Sequence, residues 1–442
     1  MTINQYAMVT ESNIMTSNLA ALTPGEFVTR MLELGITKGY FTFIDGEFHS
    51  SHPELASLAD FIKNSPDYNE HEGIFFQADK KTGCLFLAGV HRTNRGSGHG
   101  GTRFKQYETI ESIFSDVMRL SKGMTDKNAC AEIWYGGGKG IIYAPNNPRS
   151  YEGAAREQVF ANYGRFIASL NGVYITAEDM NTSPEDMAVI HTNNRFCTCL
   201  PVEIGGSSNP SAFTALGVFR GLVAAVHFVD GKKDTNEISL TGKHIIVQGA
   251  GNVGGRLIDR LIGCGAKVTV FDLREETKAE LKAKYPADQL FIHDDGNSLY
   301  AIEADVFSPN AIGAILNDTT IPMLNVKIVA GGANNQLADP VKHANDLHER
   351  GIIYVPDFII NRMGIVNCSD ELDGYLPDEV EAAADNVYPA TYRLLEDAKK
   401  INHSPQFEAI DLAEKLSRVN HPILGHRGMK IIKHILANGW GK

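Results

Sequence analysis

The sequence predicts a two-domain α/β protein whose second domain is built on a doubly wound parallel sheet. Three observations carry this. From about residue 244, short apolar strands (HIIVQ, AKVTVFD, ADVFS, KIVAGG, GIIYVPD) alternate with helical patterns, the signature of a parallel sheet with crossover helices. A glycine turn, Gly249 to Gly254, follows the first of these strands and opens a helix. Upstream the texture differs: two strands within 73–91 are joined by a Lys-Lys-Thr-Gly turn and followed by helices. The chain has 442 residues, 43% of them hydrophobic and 21% charged, which is ordinary globular usage and ample for a large core without disulfides.

Taken in order, residues 1–54 read as an N-terminal extension. The first 20 are polar with little charge, and 24–36 (PGEFVTRMLELGI) form a short amphipathic helix. Residues 55–205 form a first domain for substrate binding and oligomerisation, with helices expected at 107–123 and 154–171. Residues 206–378 form the dinucleotide-binding domain, opened by a long apolar helix at 209–228. Residues 379–442 are helical in pattern and are expected to pack back toward the first domain. Two lobes of this kind place a ligand in the cleft between them.

The net charge is −12, from 41 basic and 53 acidic residues with histidine neutral, and no Lys/Arg run occurs. Nucleic acid and anionic membrane are therefore not expected partners. Six cysteines are scattered, and the one close pair, Cys197 and Cys199, has C-x-C spacing, so buried free thiols are expected. No metal site is read from the His, Cys and Asp spacings. No basic residue precedes Arg30, and no apolar run approaches the ~18 residues of a membrane span, so a cytoplasmic protein is expected.

Gly249-Ala250-Gly251-Asn252-Val253-Gly254 is a G-x-G-x-x-G in the strand-to-helix context that gives the pattern meaning. The first glycine allows the turn, the second admits a pyrophosphate to the backbone, and the third lets helix and strand pack closely. The helix N-terminus then offers N–H groups to the phosphates. Asp272 ends the next strand, 18 residues after Gly254, where a carboxylate accepts ribose hydroxyls and repels a 2′-phosphate. NAD is thus expected over NADP, with Arg274 nearby as a softening influence.

Lys139 stands among Gly136, Gly137, Gly138 and Gly140. Close backbone packing there would desolvate the ammonium and make it a usable base, and a surface lysine on a loop is the other reading. Lys127 follows Gly-Met-Thr-Asp. Asp179 closes an apolar run, Tyr174-Ile175-Thr176-Ala177-Glu178, where a helix cap or turn is the local reading.

Eight segments in order resemble the family of glutamate, leucine, phenylalanine and valine dehydrogenases, most closely its leucine/phenylalanine branch: HRTNRGSGHGGTRF (91–104), GMTDKNA (123–129), YGGGKG (135–140), YITAEDM (174–180), GGSSNPSAFTALGV (205–218), VQGAGNVGG (247–255), GGANNQLADP (331–340) and PDFIINRMGIVNCSDELDGY (356–375). The resemblance implies NAD-dependent, reversible oxidative deamination of a large apolar or aromatic L-amino acid to the 2-oxo acid and ammonia. Leucine, phenylalanine and tryptophan fall in that class. It implies that Lys127 holds the substrate carboxylate, that Lys139 activates water, and that Asp179 exchanges protons with the amino group. Gly100 and Gly101 would let backbone pass the substrate, while Met124, Ile365 and Cys368 would line its side chain. Thr214, Asn335 and Asn361 would face the cofactor. A homo-oligomer is implied, with a small-molecule amino acid or oxo acid and ammonia as partners.

Three departures bear on specificity. His99 replaces an apolar family residue, or the lysine that glutamate enzymes use, and three placements are open: bonding a polar substrate, stacking on an aromatic one, or turning away into a local hydrogen bond. Arg362 and Met363 replace the Ala-Gly of a family loop, so Met363 is expected to be strained or the loop rebuilt, and Arg362 to face solvent or bind an acid or phosphate. Residues 1–54 have no counterpart in short leucine-type chains. A glutamate-type activity, with His99 and Arg362 receiving a distal carboxylate, and a catalytically idle NAD-binding scaffold are the alternatives.

Overall fold

The computed structural model describes residues 18–233 and 238–442, so the polar arm expected before residue 18 lies outside the described residues. The chain forms two compact units. The first takes residues up to Ala129, Trp134–Ser208 and Ser417–Lys442, and the second takes Cys130–Ile133 and Asn209–Leu416.

The first unit contains a seven-stranded mixed sheet of β1 (Lys38–Ile44), β2 (Glu47–Ser50), β3 (Gly73–Ala78), β4 (Leu85–Arg92), β5 (Gly98–Lys105), β6 (Gly136–Tyr143) and β7 (Tyr174–Glu178), in the order β2-β1-β3-β4-β6-β5-β7. Antiparallel pairing runs from β2 to β6, and β5 pairs parallel with both β6 and β7. Helices α1 (Pro24–Glu33), α2 (Ala56–Asn64), α3 (Ile110–Cys130), α4 (Gly153–Ala168) and α5 (Pro184–His191) flank it. Helix α1 starts at a capping box in which Thr23 and Glu26 satisfy each other's backbone N–H.

Residues 18–54 are not an appendage. Strand β1 is hydrogen-bonded to β3, and Phe27, Val28, Met31, Phe41, Phe76 and Phe114 share one core. A period-2 run such as Lys38–Ile44 needs a sheet edge to bury its apolar face, and β3 supplies it. Helix α3 also runs seven residues beyond the expected end at Gly123, which puts Met124 and Lys127 on helix rather than loop. Packing of Thr125 against Gly137 overrides the local propensity of one glycine.

The second unit holds a six-stranded parallel sheet, β10-β9-β8-β11-β12-β13, formed by β8 (His244–Gln248), β9 (Lys267–Phe271), β10 (Leu290–Ile292), β11 (Val306–Pro309), β12 (Ile328–Val329) and β13 (Ile353–Tyr354). The order reverses beside β8, as in a doubly wound dinucleotide fold. Its helices are α6 (Ser211–Val229), α7 (Asn252–Gly263), α8 (Glu275–Lys284), α9 (Lys342–Glu349), α10 (Asp357–Ile360), α11 (Met363–Asp370), α12 (Pro377–Ala384), α13 (Val387–Lys400) and α14 (Pro405–Ser417). Contrary to the sequence expectation, α6 is long and apolar enough to cross a membrane by length and composition. Most of it is buried, however, as the central helix of the second unit's core.

The C-terminal helices divide. Helices α12, α13 and nearly all of α14 belong to the second unit, and only Ser417–Lys442, with α15 (Arg427–Ala437), joins the first. There His426 Nε2 lies 2.9 Å from Glu72, and Trp440 stacks edge-on against Phe75 while donating to Ser169 Oγ at 3.0 Å. The expected return of all of 379–442 overlooked Val387, Tyr388, Leu394 and Leu395, whose apolar faces are buried in the second core.

Phe41 is 1% exposed and contacts the rings of Phe48, Phe76 and Phe114. Phe41→Ala should therefore lower the unfolding free energy by about 3–5 kcal/mol in a denaturant titration, whereas a separate N-terminal arm would lose well under ~1.

Candidate active site

Strand β6 reads Gly-Gly-Gly-Lys-Gly, and its glycines are there because neighbours leave no room. A Cβ at Gly137 would overlap Thr125 on α3, one at Gly138 would overlap the Tyr174 ring, and one at Gly140 would overlap Thr102 Oγ1 and the Tyr163 hydroxyl. Gly89 faces Lys139 across β4 and leaves its own space to Val117. With backbones this close, Lys139 is buried, its side chain 8% exposed. The lysine is therefore buried on a strand and is not on a surface loop.

Asp179 follows β7 in a turn, its backbone N–H donating to Thr182 Oγ1 at 2.8 Å. The local turn reading of Asp179 is the one found. Its Oδ2 accepts from the Lys139 ammonium and from Arg103 Nε at 3.3 Å. Burial alone would raise the Asp179 pKa, but the charges of Lys139 and Arg103 and their hydrogen bonds outweigh it and hold the carboxyl at about 2. Arg103 in turn donates to Asp116 Oδ2 at 3.0 Å, and Asp116 also accepts from the Tyr107 hydroxyl and Arg119, each at 2.7 Å. Neither Arg103 nor Asp116 was singled out from the sequence. The available signal was a charged residue inside the otherwise small and apolar strand GHGGTRF.

Gly100 lies beside this pair on β5. Its carbonyl accepts from the Tyr174 hydroxyl at 2.7 Å, and a Cβ there would overlap the Gly138 carbonyl and press on Met124 at 2.9 Å. A Cβ at Gly101 would come within 2.8 Å of Asp179 Cβ. Met124 and Lys127 are half-buried on the same end of α3. His99 is fully buried: Nε2 lies 3.0 Å from Thr198 Oγ1, and its ring meets Tyr135 edge-on at 5.3 Å. Of its three open placements, the local hydrogen bond is the one found for Nε2, while the buried Nδ1 has no hydrogen-bond partner among the described residues. Burial pushes its imidazole down to about 3 and keeps it neutral.

In the second unit the three glycines act as their spacing predicts. Gly249 has φ +91° and lies against Ala311, a Cβ at Gly251 would meet only the tip of Arg274, at 4.0 Å, and a Cβ at Gly254 would overlap the Gly249 carbonyl. Gly251 is the N-cap of α7, and no side chain caps the helix that begins at Asn252 and Val253. Free N–H groups at a helix start, beside a glycine that leaves room, suit a dinucleotide pyrophosphate. Asp272 accepts from the N–H of Ala250 at 2.8 Å and of Arg274 at 2.9 Å, and from Arg274 Nε at 3.1 Å. Burial works against its charge, but these bonds prevail and lower its pKa.

Asn361 Nδ2 donates to Asn334 Oδ1 at 2.9 Å, and its buried Oδ1 has no hydrogen-bond partner among the described residues, leaving an acceptor for a ligand amide. Asn335 has φ +53° and donates its N–H to Asp357. Thr214 Oγ1 donates to the Pro210 carbonyl at 2.9 Å and lies against Gly364. Ile365 and Cys368 are both buried on α11.

Two expectations for the loop before α11 are corrected. Arg362 faces neither solvent nor a phosphate. It is 6% exposed and donates to the carbonyls of Cys130 at 2.6 Å and Asn386 at 3.4 Å. Met363 is not strained, because it begins a helix and its side chain fills the notch left by Gly217 on α6.

One group with ligand-like spacing, Asp318, His343 and Asp346, was not anticipated. His343 Nδ1 accepts the Asp339 N–H at 2.8 Å, which puts its proton on Nε2 toward Asp318, and Lys342 bonds both aspartates. A lysine already supplies the cation there.

Gly140→Ala should destabilise the first unit by about 1–3 kcal/mol in a denaturant titration, because the added methyl displaces the Thr102–Tyr163 hydrogen bond. Asp179, held at about 2, contributes stability that is present above the ordinary carboxyl pKa of about 4 and is lost as pH falls from there toward 2. Asp179→Asn should flatten that acid loss of stability in melts run from pH 5 to pH 2.

Comparisons with known proteins place the two units in families. Residues 84–195 match the dimerisation domain of the Glu/Leu/Phe/Val dehydrogenases and fall in the first unit. Residues 237–346 match a putative NAD(P)-binding domain and fall in the second. The chain is 39% identical to leucine dehydrogenase of Geobacillus stearothermophilus over 346 residues, covering 78% of this chain and 90% of that one. It is 38% identical to phenylalanine dehydrogenase of Caldalkalibacillus thermarum over 336 residues, covering 75% and 87%. Its fold matches the crystal structure of L-tryptophan dehydrogenase from Nostoc punctiforme with a TM-score of 0.67 and 32% identity, over 82% of this chain and 98% of that one. The chain belongs to the Glu/Leu/Phe/Val dehydrogenase family, oxidoreductases that act on amino acids with NAD as cofactor.

Proposed function

We propose that this protein catalyses the reversible oxidative deamination of a large apolar or aromatic L-amino acid to its 2-oxo acid and ammonia. The observation that carries the reading is the buried Lys139–Asp179 pair on glycine-lined strands. NAD held at the Gly249–Gly254 turn would supply the hydride acceptor for the substrate α-carbon. Lys127 fixes the substrate carboxylate by its charge. Lys139 orients and activates the attacking water, and Asp179 carries protons to and from the amino group. Thr214, Asn335 and Asn361 hold the nicotinamide end, with the unpaired Oδ1 of Asn361 as acceptor. Asp272 orders the adenosine end through the loop it braces at Ala250.

The apolar preference rests on what the two candidate cations do. A distal carboxylate needs a fixed positive charge, but His99 is buried and neutral and Arg362 is committed to two backbone carbonyls. A glutamate-type reading loses both of its groups. A homo-oligomer in the cytoplasm belongs to the same proposal, and the match to a dimerisation domain supports the association.

NADH oxidation with ammonia across the keto acids of leucine, valine, phenylalanine and tryptophan, plus 2-oxoglutarate, tests the proposal. Turnover of an apolar or aromatic member is expected, and turnover confined to 2-oxoglutarate would overturn it. Lys139→Ala and Asp179→Asn should each lose at least about 100-fold in kcat, the range of general acid–base groups, while NADH binding by fluorescence persists. Turnover near the wild-type rate in either variant contradicts the assigned roles.

A further inference from the structure

We propose that Arg103 is a positioning residue for Asp179. It aims the carboxylate at Lys139 and keeps it an anion, and Asp116 holds Arg103 in place for that task. The inference rests on the proton-exchanging role assigned to Asp179 above.

The geometry is a chain of five charged groups, Arg119, Asp116, Arg103, Asp179 and Lys139. Arg119 and the Tyr107 hydroxyl both bond Asp116, each at 2.7 Å. Arg103 Nη1 donates to both oxygens of Asp116, at 3.0 and 3.4 Å, and its Nε donates to Asp179 Oδ2 at 3.3 Å. The Lys139 ammonium reaches the same Oδ2. Arg103 and Asp116 are 18% and 11% exposed in their side chains, so solvent screens these contacts weakly. An arginine needed only to neutralise Asp116 would be satisfied by the bifurcated Nη1 contact there. The rigid guanidinium fork instead spends its remaining face on the reactive carboxylate, which a single-point ammonium would not do at the same time.

The chemical consequence concerns where a proton rests. A carboxylate facing one lysine shares the proton of the pair, whereas a second cation on the same oxygen favours the carboxylate anion. The groups facing Asp179 are Lys139 from β6, Arg103 from β5 and Tyr174 from its own strand. Tyr107 and Asp116 stand behind Arg103. Asp116 and Tyr107 are the ones working against Asp179's charge, the first as an anion and the second only if it ionises. Burial and the Asp116 contact push the Tyr107 hydroxyl pKa far up, so it stays neutral. With Arg103 in place, Asp179 is free to receive a proton from the substrate amine during turnover.

The test compares Arg103→Gln, Arg103→Lys and Asp116→Asn in the full-length enzyme. Arg103→Gln should move the acid limb of the kcat/KM pH profile up by about 1 pH unit and lower kcat at least tenfold with a smaller change in substrate KM. Arg103→Lys should leave the acid limb in place, because the charge survives, yet lower kcat, because the fork is gone. Asp116→Asn should lower kcat with Arg103 still charged. A ¹³C titration of aspartate carboxyls in the free protein, assigned with Asp179→Asn, should show the Asp179 resonance titrating higher in Arg103→Gln. An unmoved acid limb and an unmoved resonance in Arg103→Gln overturn the proposal and leave Arg103 a structural residue. If Arg103→Gln does not fold, unchanged kcat in both Arg103→Lys and Asp116→Asn overturns it. A wild-type enzyme silent on every oxo acid would sink the functional reading alone, since the carboxyl titration would still report on Arg103.

Discussion

The close approach of β4, β5 and α3 to the glycine strand β6 is the constraint on which the first unit depends. Four glycines around Lys139 let Thr125, Tyr174, Thr102 and Tyr163 press against backbone where side chains would otherwise keep them apart. That contact removes water from Lys139 and places Asp179, at the end of the neighbouring region of sheet, within its reach. A buried lysine unpaired would be expensive, and the pairing with Asp179 offsets the desolvation of both groups. The hydroxyls of Thr102, Tyr163, Tyr174 and Thr176 bond one another beneath the strand, so the packing is polar and satisfied as well as tight.

The second unit solves a different problem with the same residue. Its glycines open space for a ligand instead of closing space around a side chain. Gly249 turns the chain, Gly254 lets α7 sit on β8, and Gly251 leaves the helix start uncovered. Asp272 then does two jobs at once, because its bond to the Ala250 N–H stiffens the phosphate loop while its charge is matched by Arg274. Helix α6 carries this unit's core, and its glycines Gly217 and Gly221 receive Met363 and Ile360.

Local packing decides where the two departing side chains point. His99 and Arg362 were the two residues that set this chain apart from an apolar-specific enzyme, and both are withdrawn from that part. Thr198 and Tyr135 enclose the imidazole, and the guanidinium caps the carbonyls of Cys130 and Asn386. Their departure from the family pattern is absorbed by local structure. The charged groups gathered around Asp179 are Lys139, Arg103, Asp116 and Arg119.

The sequence by itself determined the alternating strands and helices of the second unit and the glycine turn between Gly249 and Gly254, while Lys139 and Asp179 stood out through family resemblance. The strands, helices and turn are local signals, a period of 2 or 3.6 and a turn of fixed length, and short-range physics suffices to read them. Only the tertiary structure decided that β1 and β2 complete the first sheet, that α12 to α14 stay with the second unit, that α3 continues past Gly123, and that His99 and Arg362 turn inward. It also brought Arg103 and Asp116 to Asp179, from positions 76 and 63 residues away in sequence. Each of these outcomes depends on which distant surface buries a given face or answers a given charge, and that partner is supplied by the fold and not by the neighbouring residues.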